Sequence, residues 1–156
     1  MTFAHAQNIE LVQKEIDQNI WKPFKAAFES LDAEKLNSLY AEEVLRVTPN
    51  GIDTKNNFKK ANIKRLTDHE KNKTDLQLDF WFDSRHTNET TSYEVGFYRM
   101  NLSNTDRVTS LYGQFHIVLK KSSGRWKIIQ DWDTDSINGK DLSKQDFEKQ
   151  RPIQFD

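Results

Sequence analysis

The sequence predicts an α+β domain in which N-terminal helices cover one face of a strongly curved, mostly antiparallel sheet. Three observations predict it. Apolar residues recur every three or four positions through the first part of the chain, which is the period of amphipathic helices. From Leu76 onward they recur every second position, which is the period of strands. Those strand segments follow one another across short polar turns, so they form a meander onto which the helices pack. A curved sheet closed by helices makes a cone, and a cone has an apolar interior that can hold a ligand.

Ile9, Val12, Ile16, Ile20, Phe24, Phe28 and Leu31 form the stripe of a helix running from Asn8 to Leu31. Pro23 lies inside it, removes one amide donor and crowds the preceding turn, so a kink is expected there. Asp32 is placed to cap a second helix, with Leu31 and Leu36 as a hydrophobic staple and an end near Ala41. VLRVT at 44–48 reads as a short strand and PNG at 49–51 as a turn. Asp53 or Thr54 can cap a third helix that carries Phe58 and Ala61 inward and runs to about Leu66.

LQLDFWF at 76–82 alternates Leu76, Leu78, Phe80 and Phe82 against Gln77, Asp79 and Trp81. TSYEVGFYRMNL at 91–102, VTSLYGQFHIVLKK at 108–121 and RWKIIQDW at 125–132 complete four strands, with Ser122, Ser123 and Gly124 as the last hairpin loop. Residues 137–156 are polar, with Phe147 and Phe155 as anchors and a short helix after Ser143. The expected organisation is one domain over 1–136 and a C-terminal extension over 137–156.

Composition narrows the function classes. Only 35% of the 156 residues are hydrophobic and 30% are charged, so the core must draw on a few faces rich in the ten Phe and four Trp. The net charge is -1 and the basic residues stand among acidic neighbours, which excludes a nucleic-acid footprint. The lack of cysteine excludes disulfides, thiolate nucleophiles and zinc-thiolate sites. His5, His69, His86 and His116 show no metal-ligand spacing, so neither a metal nor a cofactor is expected. No run reaches the ~18 apolar residues of a membrane span. FAHAQ at 3–7 resembles the end of a secretory signal with no apolar segment before it. The expected location is cytoplasmic as the sequence stands, and periplasmic or secreted if the natural start lies upstream.

The order of elements, with FKAAFESLDAEKLNSLYAEEV at 24–44 and GRWKIIQDWDTDS at 124–136, resembles the nuclear transport factor 2-like (cystatin-like) superfamily. It looks closest to the SnoaL-like and DUF4440-type branch, which includes ketosteroid isomerases. The resemblance covers about residues 9–136 and implies the cone fold. It leaves the function open, because the superfamily hosts isomerases, dehydratases and non-catalytic modules. Isomerase chemistry needs a carboxylate base and two acidic hydrogen-bond donors. Matching the motifs puts Phe24, Thr48 and Phe115 at those three positions, so ketosteroid isomerase activity is not expected. The interior then reads as an oily vessel in which rings replace the proton-handling groups.

The resulting expectation is a small apolar ligand held by Phe24, Phe28, Phe80, Phe97, Phe115 and Ile117, with Thr48 or Asp131 orienting it. Asp131, Asp133 and Asp135 stand two apart, so in an extended chain they share one side. They are either the solvent-facing end of a strand or an acidic rim, and Asp131, deepest in the strand, is the one catalytic candidate. The alternatives are a non-catalytic dimerisation module with a filled core and a SnoaL-like lyase or isomerase using Asp131. Asp83, Arg85 and His86 could converge with Asp131 or form a solvated strand end. Trp81, Tyr98, Tyr112 and Ile129 read as an apolar patch on the outer sheet face. That patch and the resemblance imply a homodimer packed sheet to sheet, with the tail folding over the partner.

Overall fold

The computed structural model describes the backbone of residues 2–156 and the side chains of residues 8–156. The first helix, α1 (Thr2–Ile16), passes through a π-helical turn (Asp17–Trp21) into α2 (Lys22–Glu29). FAHAQ is backbone of α1, and its side chains lie outside the described residues. The dihedral angles stay helical on both sides of the π turn, so Pro23 sits in the first turn of α2 rather than at a break. Having no amide, it leaves one bond of the continuous helix unmade, next to the wider turn. The wider turn adds a residue to the buried stripe, and Trp21 joins Ile16 and Ile20 in the core.

Asp32 caps α3 (Ala33–Ser38) as expected, its carboxylate accepting from the Lys35 amide at 2.8 Å. β1 (Tyr40–Thr48) and β2 (Gly51–Asp53) form a hairpin at the sheet edge. The Asp53 carboxylate accepts from the Phe58 amide at 2.7 Å at the start of α4 (Asn57–Lys71), which continues five residues beyond Leu66. Four long strands follow: β3 (Asp75–Thr87), β4 (Thr91–Ser103), β5 (Val108–Ser122) and β6 (Arg125–Thr134). The sheet is six-stranded in the order β2-β1-β6-β5-β4-β3, antiparallel except where β1 joins β6 in parallel. The α+β cone is therefore the observed architecture, with β1 and β2 added to the four-strand meander.

The inner face and the helices enclose a core that includes Ile16, Leu36, Leu66, Leu119 and Ile128. The outer face is divided. The tail crosses one half of it through a short hairpin, β7 (Ser136–Ile137) and β8 (Lys140–Asp141), and α5 (Lys144–Phe147). Phe147 is buried against Tyr112, and its carbonyl accepts from the Trp81 indole at 2.7 Å. The chain then turns the edge of β3, where the Ile153 amide donates to the Phe80 carbonyl and the Phe155 ring meets Phe80.

This corrects the expected outer patch. Trp81 is only 4% exposed because the tail lies over it, Tyr98 faces inward, and Ile129 falls at a bulge. The tail folds over its own sheet. No helix among the described residues is long and apolar enough to cross a membrane.

Candidate functional site

The interior of the cone holds a cavity of about 470 Å³. Aromatic rings form its wall: Trp21, Phe24, Phe28, Phe58, Phe80 and Phe115, with Met100 and Ile117 among the aliphatic fill. One end is polar, and the cause is a backbone irregularity in β6. The β5–β6 register steps from Leu119 opposite Ile128 to Val118 opposite Gln130, leaving Ile129 unpaired. Strict alternation from Trp126 and Ile128 would turn Gln130 and Trp132 inward. The bulge resets the phase, so Asp131 and Asp133 follow Ile128 on the inner face and the outer face receives Trp132.

Asp131 is 6% exposed. Its carboxylate accepts from the Tyr40 hydroxyl at 2.6 Å and from Arg46 at 3.2 Å, while the same guanidinium reaches Asp133 at 2.7 Å. Burial pushes the Asp131 carboxyl above the usual range, although Arg46 and the Tyr40 hydroxyl both pull it down. Burial and then the Asp131 charge push the Tyr40 phenol well up. The Tyr98 phenol also lines this end, raised by burial and by Asp133, and among the described residues its hydroxyl has no hydrogen-bond partner. Burial opposes the charge on Arg46, and the two aspartates outweigh it. From the helical side α4 contributes Asn62, Arg65 and His69, and the Arg65 charge acts on Tyr40, Asp131 and Asp133. Arg65 and Leu111 are the exposed lining residues, so they mark the mouth. No group of three or more His, Asp or Glu among the described residues is placed to hold a metal ion.

No protein-family model matches the sequence, and no curated protein matches it. Solved structures do. An NTF-2 like protein of unknown function from Shewanella oneidensis MR-1 aligns over 80% of this chain and 96% of its own, at 17% identity and a TM-score of 0.58. A conserved protein from Planctomyces limnophilus DSM 3776 aligns over 83% and 96%, at 18% identity and a TM-score of 0.62. A ketosteroid isomerase-like protein from Erwinia carotovora atroseptica aligns over 86% and 97%, at 15% identity and a TM-score of 0.55. The chain has the nuclear transport factor 2-like fold.

Within this NTF2-like cone, six of the eight residues expected at the site come together: Phe24, Phe28, Phe80, Phe115, Ile117 and Asp131. Thr48 does not. It ends β1 at the turn, where its hydroxyl accepts from the Asn50 amide at 3.1 Å. Phe97 does not either, for it stacks on Trp81 on the outer face with centroids 4.7 Å apart. The phase of β4 is the reverse of the expected one, and Tyr98 takes the inner position. Rings have therefore not replaced every proton-handling group, because Tyr40, Tyr98 and Asp131 stand at one end.

Asp83, Arg85 and His86 do not approach Asp131 in the NTF2-like cone. Arg85 instead pairs with Asp17 at 2.8 Å and with Glu94 at 3.1 Å. Glu94 is fully buried, accepting from the Trp21 indole at 2.6 Å and from Ser92 at 2.8 Å, and burial raises its pKa against the pull of Arg85. This network fixes a wall tryptophan and was missed in the sequence. The signal was a lone Glu among apolar strand residues, in the run SYEVGF. His116 is on the outer face, hydrogen-bonded to Tyr93 at 2.6 Å and packed edge-on against Trp132.

Proposed function

We propose that the protein binds a small, largely apolar molecule inside the cone. The observation that carries this reading is the cavity of about 470 Å³, walled by aromatic rings with a few polar groups among them. Its size and its mixture of apolar wall and sparse polar groups match small-molecule sites, which span about 300–1,000 Å³. A filled core would have favoured an interaction module. The Tyr98 hydroxyl is available to an oxygen of the ligand, while Asp131 is engaged by Tyr40 and Arg46. Phe24 and Phe115 lie in the wall at positions where isomerase chemistry would want hydrogen-bond donors, which supports binding without ketosteroid turnover.

A neutral apolar dye, N-phenylnaphthylamine, tests the reading. Its fluorescence should rise on the native protein and stay at the buffer level on Met100→Trp, a variant that fills the cavity from a half-buried position. Equal enhancement by both proteins, with unchanged thermal midpoints, would overturn it.

A second reading, an acid–base lyase or isomerase of the SnoaL-like kind, is favoured by the raised Asp131 carboxyl beside Tyr40. For assembly we propose a homodimer through the half of the outer sheet face that the tail leaves open, around Leu45, Ile52 and Trp132.

A further inference from the structure

The polar groups of the cavity form one cluster, and its charges cancel. Arg46 on β1 pairs with Asp131 and Asp133 on β6. Arg65 on α4 joins them electrostatically, since its charge acts on Asp131, Asp133, Tyr40 and Tyr98. Burial and the Arg65 charge push the His69 ring down, so it adds no charge at neutral pH. Two guanidiniums are thus matched by two carboxylates. An ion of either sign entering this space would give up its water and find no uncompensated opposite charge.

Two atoms of the cluster remain uncommitted. Asp133 accepts from Arg46 through Oδ2, and its Oδ1 has no hydrogen-bond partner among the described residues. The Tyr98 hydroxyl has none either, and both residues line the cavity. The Tyr98 ring lies over Gly113, leaning from β4 across β5 in the direction of β6, and Asp133 is the charge that acts on it most strongly. Burial and that charge keep the phenol protonated. One uncommitted atom is therefore a charged acceptor and the other belongs to a hydroxyl that can donate.

We infer that the ligand is an uncharged, largely apolar molecule bearing a hydroxyl group, which donates to Asp133 Oδ1 and accepts from the Tyr98 phenol. A ketone or an ether would engage Tyr98 and leave the Asp133 oxygen unmatched, and a hydrocarbon would leave both unmatched. This inference rests on the reading of the cone as a ligand pocket and names the polar group that its ligand carries.

The experiment compares probes that share a decyl chain: 1-decanol, its methyl ether, decanoate and decylamine. Each competes with N-phenylnaphthylamine on the full chain at neutral pH, below its micellar concentration. Decanol is expected to bind about ten-fold tighter than the ether, the worth of one hydrogen bond to a charged group, and tighter than either ion. Tyr98→Phe should weaken alcohol and ether alike. Asp133→Asn should narrow the gap between them and, by leaving the cluster one positive charge in excess, raise the affinity for decanoate. The thermal midpoint of each variant checks the fold, and Tyr98→Phe carries the test if Asp133→Asn fails to fold. Equal binding of alcohol and ether, an ion that outbinds the alcohol, or dye that no probe displaces overturns the inference and leaves the pocket standing. A folded Asp133→Asn that keeps the full preference for the alcohol also overturns it. Failure of the dye itself to bind the native protein overturns the pocket reading together with the inference.

Discussion

Tyr98 reaches the cavity across a strand that has no side chain to obstruct it. Its cross-strand partner is Gly113, and a Cβ built there would overlap the phenol ring. Gly96 does the same for Phe115, which is its partner on β5. The glycines here serve close approach, one of the common reasons for glycine inside a strand. Gly113→Ala should push the Tyr98 ring out of place, lowering stability by about 1–3 kcal/mol and weakening dye binding. Thermal unfolding and dye titration of the same variant check both. Unchanged dye affinity at reduced stability would remove Tyr98 from the site.

At the scale of elements, the buried Glu94 ties the π turn to β3 and β4 through Trp21 and Arg85. Its folded-state pKa is raised, so the neutral form suits the fold. The contribution of this group to stability is full below the ordinary glutamate value of about 4 and is lost as pH rises through the folded-state value. Glu94→Gln should therefore gain on the native protein as pH climbs from about 4, and the difference in thermal midpoint against pH reads it. A difference that shrinks with rising pH would show a depressed carboxyl instead.

Some elements were legible because their period was unambiguous. LQLDFWF has aliphatic or aromatic residues at every second place, and Leu76, Leu78 and Phe80 are buried as that pattern requires. TSYEVGFYRMNL carries Tyr93, Val95 and Phe97 on one face and Tyr98, Met100 and Leu102 on the other, so period alone could not orient it. Gly96 and Gly113 held the missing information, since each marks the inner face by the ring laid against it. Asp131 could be nominated, but the bulge at Ile129 that turns it inward depends on pairing with β5 and has no local signature. SINGKD, by contrast, announces the β7–β8 hairpin through Asn138 and Gly139, both at positive φ, and was overlooked.

For the whole molecule, the division of the outer sheet face decides how copies can meet. Phe147 and its helix occupy the side with Trp81, Phe97 and Tyr112, while Leu45 and Ile52 on the first hairpin remain exposed, Ile52 by 72%. Light scattering at micromolar concentration should give twice the 18.4 kDa chain mass, and Ile52→Asp should return it to one. A native monomer at that concentration would overturn the proposed assembly.

The Ile153 amide on the Phe80 carbonyl has one more outcome. β3 is thirteen residues long and lies last in the sheet, a position whose unpaired backbone can template uncontrolled polymerisation, and Glu29 and Lys25 already hold the Leu78 amide and carbonyl there. The returning segment acts as a selvedge on that border. Unpicking it would bare the Phe80 carbonyl and the ring beside it to a second copy.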